Sequence, residues 1–553
     1  MAIQAQPTTP PWLDEILSGL DAEQRAAATL PDGPAQIIAP AGSGKTTTLI
    51  ARLGVLLARG VPPEEICVVT FNRDASLDLA RRIEVRLAAH VHGAERIEVR
   101  TLHALARQVV LDSGRRPQLV ADRLPLIRAA RRRCARPDDA DAPPIPEAGE
   151  LDGVISAWKI EGRPPPGDAR LVVEEYQALL DARGALDFDD LVVTACRLLQ
   201  TDAALGLRWR ARFRHVLVDE FQDVDSAQLR LVRLLAAARD NLVVVGDDDQ
   251  TIYAWRLADV RRILRFSSDY PSAHRVTLAT NYRCPAAVIE ASARMVAVNR
   301  ERFDKPIRAP GHARPDPTTI AAWSTAEPSW ADALARFAAV EDAAGRTLCF
   351  LSRTRGELTP PLVALTRAGV RHAAAVAPLV ESEWVVALVD AARPIDTREH
   401  PFRVLRRLRA GRGWERDNAA ADSLGDDDHA ALDALLGWTT GFATLDGFVT
   451  AYDAGRARIA GLRDPDAPVE LATVHASKGR EWETVVIIGF EADRIPNRRS
   501  LVDAADPDRA LEEERRLAYV ALTRATRQLI LAFDPARPSP FLAEMGFRAG
   551  PAP

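Results

Sequence analysis

The sequence predicts an α/β protein made of two lobes, each built on a parallel sheet. Three observations carry that expectation. Short apolar runs alternate with helical patterns in the first half, the alternation returns in the second half, and the first run opens straight into a glycine-rich turn and a helix. Apolar runs of four or five residues between amphipathic stretches read as strands buried on both faces, the habit of parallel sheets.

In the first lobe the expected strands are Gln36-Ile37-Ile38-Ala39, Ile66-Cys67-Val68-Val69-Thr70, Val216-Leu217-Val218 and Leu242-Val243-Val244-Val245. In the second they are Leu348-Cys349-Phe350-Leu351, Leu471-Ala472-Thr473-Val474, Val485-Val486-Ile487-Ile488 and Leu529-Ile530-Leu531-Ala532. Two stretches differ in texture. Residues 112–190 mix helix-like segments with a Pro/Asp-rich patch, Pro137 to Pro146, and read as a helical insertion in lobe one. Residues 397–468, rich in Arg, Ala, Asp and Gly, read as a short insertion in lobe two. Long structureless loops are uncommon inside compact domains, so both insertions are expected to carry their own structure. Lobe one then spans 1–111 and 191–280, and lobe two spans 281–396 and 469–553.

Composition excludes several classes. No run of about 18 apolar residues occurs, so no membrane span is expected. Met1 to Pro11 is polar and lacks the basic-then-apolar pattern of a secretory signal. Cys67, Cys134, Cys196, Cys284 and Cys349 show no CxxC spacing, so neither a zinc site nor a disulfide framework is indicated; reduced thiols in a cytoplasmic protein are expected. The net charge of −5 argues against a basic shell and for a confined basic channel wherever a polyanion binds. Only four of the 72 basic residues are lysine: Lys45, Lys159, Lys305 and Lys478. Two of them, Lys45 and Lys478, fall inside glycine-containing motifs.

The first such motif is Ala39-Pro40-Ala41-Gly42-Ser43-Gly44-Lys45-Thr46-Thr47. Glycines let successive backbone N–H groups turn toward phosphate oxygens, and the following helix N-terminus adds partial positive charge. Lys45 is placed to reach the β- and γ-phosphates, and the Thr46 hydroxyl to hold Mg²⁺. Ala39 stands where the strict pattern has its first glycine. Hydrolysis also needs a metal-holding carboxylate on a neighbouring strand. Val218-Asp219-Glu220 offers Asp219 for Mg²⁺ and Glu220 to orient or deprotonate the attacking water.

These motifs stand in order with others. Leu20-Asp21-Ala22-Glu23-Gln24 precedes the loop. Phe221-Gln222-Asp223 extends the acidic motif, Gly246-Asp247-Asp248-Asp249-Gln250-Thr251-Ile252-Tyr253 follows, and then Asn281-Tyr282-Arg283. Thr473-Val474-His475-Ala476-Ser477-Lys478-Gly479-Arg480-Glu481 and Glu512 to Ala525 complete the series. From about residue 20 to 530 the chain resembles superfamily 1 DNA helicases of the UvrD/Rep/PcrA kind. The resemblance implies two RecA-like lobes with ATP in the cleft between them. It implies that Gln24 reads the adenine edge, Tyr282 stacks on adenine, Glu481 contacts the ribose and Gln250 senses the γ-phosphate. It makes Arg283 and Arg524 the arginine fingers. ATP is then the one small-molecule substrate and Mg²⁺ its metal.

The resemblance also places a nucleic-acid track. Phe71, Tyr253 and Trp255 stand where the family stacks bases, with Arg256 beside them, and His103 resembles the block that touches the DNA backbone. Phe188, in Leu186-Asp187-Phe188-Asp189-Asp190-Leu191, belongs to a further family block. Asp74 sets a negative charge where the family often has a cation. Two arginine clusters, Arg128 with Arg131, Arg132, Arg133 and Arg136, and Arg403 with Arg406, Arg407, Arg409 and Arg412, are further candidates for phosphate contact. The implied substrate is single-stranded DNA or a tailed duplex, travelled 3′→5′. The accessory insertion of lobe two is shorter than in full-length relatives, which implies strong single-strand-stimulated ATPase with weak unwinding by the chain alone. That plan suits work beside a nuclease or a repair or phage-defence protein. An ATP-gated DNA- or partner-binding switch is the rival reading; the intact hydrolytic residues favour the motor.

Overall fold

The structure is a computed structural model and describes residues 10–134, 145–311, 316–327, 329–374, 379–415, 424 and 426–547. Most of the Pro/Asp-rich patch, Arg136 and the first nine residues lie outside the described residues. The chain forms two compact units. One runs through Tyr282 and takes in Asn299–Pro310; the other comprises Arg283–Val298 and the chain from Gly311 onward. The segment 299–310 thus belongs with unit 1, whereas the sequence plan ran the second lobe unbroken from 281.

Unit 1 is built on strands β1 (Ala35–Ile38), β2 (Ile66–Thr70) and β3 (Glu98–Thr101), a small pair β4 (Gln118–Leu119) and β5 (Ala185–Leu186), and β6 (His215–Val218), β7 (Leu242–Gly246) and β8 (His274–Thr277). The main sheet has the order β3-β2-β6-β7-β1-β8, and every pairing in it is parallel. Side chains alternate between its faces, so Val216, Val218, Leu242 and Val244 enter one core while Leu217, Val243 and Val245 enter the other. Helices cover both faces, which is why these strands read as unbroken apolar runs. The interruption expected at 112–190 contains the helices Leu124–Cys134, Ala148–Glu161 and Ala169–Asp181 around a core of Ile127, Leu151, Ile155, Val172 and Tyr176.

Unit 2 is built on β9 (Ile320–Ser324), β10 (Leu348–Ser352), β11 (Ala373–Ala374), β12 (Val469–Thr473), β13 (Trp482–Ile488) and β14 (Ala525–Phe533), ordered β11-β12-β10-β13-β14-β9 and again wholly parallel. Its inserted module comprises the helices Glu383–Ala392, Pro401–Gly411, Asp426–Thr439 and Leu445–Leu462. The module begins upstream of residue 397, because Val385, Leu388 and Val389 of the first helix pack into one core with Leu405, Leu432, Phe448 and Tyr452. The fold is therefore α/β with two parallel-sheet lobes, each carrying a helical insertion.

Candidate active site

In a parallel sheet all carboxyl ends lie on one edge, and ligands of such folds bind outside that edge. β6, β7 and β1 are neighbours, so the segments after them meet there. After β1 comes the glycine loop, and the helix Lys45–Ala58 starts directly from it. Gly42 and Gly44 have φ of +68° and +78°, a region costly for residues with a Cβ. The Ser43 side chain is buried and its Oγ has no hydrogen-bond partner among the described residues. Lys45 Nζ lies 3.4 Å from Glu220 Oε1, and Thr46 sits in the helix's first turn. Left-handed glycines, an orphaned hydroxyl and a helix N-terminus together fit a phosphate chain. Thr46 and Asp219 carry hard oxygen atoms of the kind that could hold a divalent cation.

Gln24 closes over the loop. Its helix is capped by a reciprocal pair of hydrogen bonds with Asp21. Its Nε2 donates to Ser43 O at 3.0 Å, and a Cβ on Gly44 would lie 2.6 Å from that nitrogen. Tyr282 joins the same group: its N–H donates to Gly42 O at 2.9 Å and its hydroxyl to Asp21 Oδ2 at 2.6 Å, with the ring half exposed. Sequence-distant adenine candidates and the phosphate loop are thereby brought together in unit 1.

Asp219 follows β6 directly; its N–H donates to Val69 O at 2.9 Å, and its Oδ1 accepts from Glu220 N at 3.0 Å. Glu220 adopts a left-handed backbone, φ +51°, a strain that residues at functional sites often hold. Gln222 links the two acidic motifs. Its Nε2 donates to Glu220 Oε2, while its Oε1 accepts from Asp247 N at 3.0 Å. Asp247 in turn accepts from Gln250 Nε2 at 2.7 Å. Glu220 and Gln250 are thus the two ends of one hydrogen-bonded chain.

Residues 253–256 continue from Gln250 into the aromatic track. Tyr253 stacks on Phe71 with ring centroids 4.9 Å apart, Trp255 meets Tyr253 edge-on at 6.2 Å, and the Arg256 guanidinium lies 4.6 Å over Trp255. Trp255 is 59% exposed. His103, just beyond β3, meets Phe188 edge-on at 5.2 Å. Burial lowers the His103 pKa, which favours the neutral imidazole.

The remaining expected residues stand in unit 2. Glu481 and Arg524 immediately precede the adjacent strands β13 and β14. Arg283 Nε donates to Glu481 Oε2 at 2.6 Å and its Nη1 to Thr523 O at 3.4 Å. Arg524 is buried, its Nε donating to Val520 O at 2.8 Å and its Nη1 to Arg480 O at 3.1 Å. Glu481, Arg283 and Arg524 thus share one edge of that unit. Three members of the arginine clusters form close ion pairs: Arg133 with Glu175 at 2.7 Å, Arg407 with Glu399 at 2.7 Å and Arg409 with Asp433 at 2.6 Å.

Several residues escaped the sequence reading. Gln222, inside a motif, received no role. Arg52 is buried in the helix after the phosphate loop and donates to Ala28 O at 3.3 Å, to Pro31 O at 3.1 Å and to Leu30 O, so it caps the end of the Gln24 helix. Lys159 donates to Asp187 at 2.9 Å and Asp190 at 2.7 Å; with Arg123 and Tyr176 it fastens the first insertion to the helix Phe188–Thr201. Lys305 and Arg302 meet Asp247, Asp248 and Asp249. The scarcity of lysine was the available signal for Lys159 and Lys305.

A glycine phosphate loop, a strand-end Asp-Glu pair and a second parallel-sheet lobe bearing arginines define the class of P-loop nucleotide hydrolases. Residues 20–140 and 152–271 match the UvrD/REP helicase N-terminal domain, and residues 455–534 the UvrD-like helicase C-terminal domain. The chain is 31% identical over 577 residues to the ATP-dependent DNA helicase UvrD2 of Mycobacterium tuberculosis, covering 94% of this chain and 79% of that one. It belongs to the UvrD-like superfamily 1 helicases. The ATP-dependent DNA helicase PcrA of Bacillus subtilis is 32% identical over 313 residues, 53% of this chain and 41% of the relative. PcrA of Staphylococcus aureus is 32% identical over 317 residues, 53% and 42% respectively.

Proposed function

We propose that this chain is an ATP-driven motor on DNA, a single-strand-stimulated ATPase that travels 3′→5′ and engages single strands and tailed duplexes. One observation carries this reading. The ten residues from Asp247 to Arg256 hold both the side chain hydrogen-bonded into the Glu220 network and the aromatic row, so a change at the γ-phosphate is felt next to the bases. Aromatic faces grip any base in turn, which suits sequence-independent travel.

In this reading the loop N–H groups and Lys45 hold the phosphates, and Gln24 and Tyr282 hold the adenine. Glu481 holds the ribose, and Glu220 orients the attacking water. Gln250 senses the γ-phosphate, and Arg283 and Arg524 offset charge that develops during transfer. Thr46 and Asp219 hold Mg²⁺, which when bound neutralises phosphate charge. Phe71, Tyr253, Trp255, Arg256 and His103 contact the strand. The short second insertion limits strand separation by the isolated chain and suits a partner such as a nuclease or a repair or defence protein.

The test is ATPase with and without single strands, plus strand displacement on 3′-tailed and 5′-tailed duplexes. Single strands should raise turnover at least about tenfold, a gain equivalent to 1.4 kcal/mol of barrier. Lys45→Ala and Glu220→Gln should abolish turnover, and displacement should be weak and confined to the 3′ tail. Unchanged turnover in Lys45→Ala would refute the assignment of the ATP site.

A further inference from the structure

The Lys305 ammonium is buried and meets three carboxylates: Asp247 Oδ1 at 3.0 Å, Asp249 Oδ2 at 2.8 Å and Asp248 Oδ1. The three acids have oxygens within 4.8 Å of one another, and the ammonium serves them as a built-in cation. Arg302 adds a two-pronged contact to Asp249 at 3.1 and 2.9 Å, and Phe303 N donates to Asp248 Oδ2 at 2.8 Å. Burial alone would lower the lysine's pKa, but Asp247, Asp249 and Asp248 raise it, so the charge stays. Asp248 is pushed up by burial and by its two neighbours, against the pull of Lys305.

Asp247 faces two ways. One oxygen accepts from Lys305, the other from Gln250, and its N–H donates to Gln222. The segment that delivers Lys305 also has a particular place in the chain. Residues 283–298 leave for unit 2 and residues 299–310 return to unit 1. The base of this excursion is closed within unit 1: Asn281 N donates to Arg308 O, Arg308 N to Ala279 O and Tyr282 N to Gly42 O, each at 2.9 Å. Arg283 is the first residue beyond that base.

We propose that Lys305 is a positioning residue for turnover, holding Asp247, and through it Gln250, in register with the base of the excursion that carries Arg283. The proposal deepens the motor reading and rests on it. The chemistry asks for lysine specifically. An ammonium gathers three donors on one nitrogen, whereas a guanidinium spreads its donors around a planar fork. In a chain that uses arginine almost everywhere, lysine stands where three acidic oxygens converge on one point.

The experiment uses the full chain and an oligothymidylate as the strand. Steady-state ATPase is measured for Lys305→Arg, Gln250→Ala and the double variant, with rates normalised to folded protein. Lys305→Arg should lower kcat at least about tenfold with the KM for ATP within about threefold, and it should lower kcat no further in the Gln250→Ala background. Parent-like kcat in folded Lys305→Arg, or losses that add in the double variant, would overturn the proposal. Should Lys305→Arg not fold, Asp247→Asn takes its place with the same two expectations and the same overturning results. A parent chain whose ATPase ignores DNA would overturn the motor reading and this proposal with it, a result distinct from a stimulated parent with an indifferent Lys305.

Discussion

Adding one methyl at Gly246 should break turnover with no substitution in the phosphate loop. Gly246 ends β7, and a Cβ there would lie 2.4 Å from Gln222 Oε1, 2.8 Å from Ile263 Cδ1 and 3.3 Å from Phe221 N. The first two distances are roughly 1 Å inside ordinary contact. Gln222 has no room to retreat, being fully buried between Glu220 and Asp247 N. Overpacking of this kind costs about 1–3 kcal/mol. Releasing Gln222 also gives up a hydrogen bond to a carboxylate, worth about 1.5–3 kcal/mol. If half or more of that second loss falls on the transition state, kcat for Gly246→Ala drops about fourfold to about 150-fold. The assay is DNA-saturated ATPase beside binding of a fluorescent ATP analogue and a urea melt. Analogue affinity should stay within about threefold, since Gly42, Gly44 and Lys45 are untouched. Adding Gln222→Ala removes the tighter of the two overlaps but leaves the one with Ile263 and the Asp247 N–H without its acceptor, so stability should return only in part while kcat does not. A folded Gly246→Ala with kcat within twofold of the parent, or a double variant that regains kcat, would refute the idea that Gln222 holds Glu220.

Three further outcomes follow from the same structure. His215 is buried on β6, and burial first, with nearby arginines adding, lowers its pKa to about 4. Its folded pKa lies below the unfolded value of about 6.5, so its contribution to stability is present above pH 6.5 and lost as pH falls toward 4, about 2 kcal/mol by pH 5. His215→Leu should therefore lose about 2 kcal/mol less than the parent between pH 8 and pH 5 in urea melts, and parallel profiles would exclude His215 as the source. Arg52→Leu leaves the carbonyls of Ala28, Leu30 and Pro31 without that donor. It should cost about 2–4 kcal/mol in chemical denaturation and weaken ATP binding through the Gln24 helix. Trp255→Ala removes an exposed face of the aromatic row and should weaken oligothymidylate binding by about 1–3 kcal/mol, read by fluorescence anisotropy, with ATP affinity unchanged.

The limits of legibility have a physical pattern. All eight strands anticipated from apolar runs are interior strands: β2, β6, β7 and β1 in one sheet, β12, β10, β13 and β14 in the other. The main-sheet strands that were not anticipated, β3, β8, β11 and β9, are the four edges. An edge strand is open on one side and needs no continuous apolar run, as Glu98-Val99-Arg100-Thr101 and His274-Arg275-Val276-Thr277 show. The site divides in the same way. Residues that act within one loop, such as Gly42 to Thr46 or Asp219 with Glu220, announce themselves by spacing along the chain. Residues that act through space, such as Lys305 on Asp247, are 58 positions apart, and spacing holds no trace of them.

The lysines give a way past that limit. Where arginine serves as the default cation, a lysine marks a place where one compact charge does something a planar fork cannot. Lys45 offers a single ammonium beside Glu220 in the phosphate site. Lys159 sits between Asp187 and Asp190, and Lys305 among Asp247, Asp248 and Asp249, both almost wholly buried. Such pairs gain little net stability over apolar packing, because desolvation offsets the attraction. Their use lies in direction: an ammonium ringed by carboxylates fixes where each oxygen points. At Asp187 this sets the cap of the helix Phe188–Thr201, and at Asp247 it sets the carboxylate that accepts from Gln250 Nε2. The same chemistry thus fastens the first insertion to the helix Phe188–Thr201 and the loop after β7 to the segment 299–310 that rejoins unit 1.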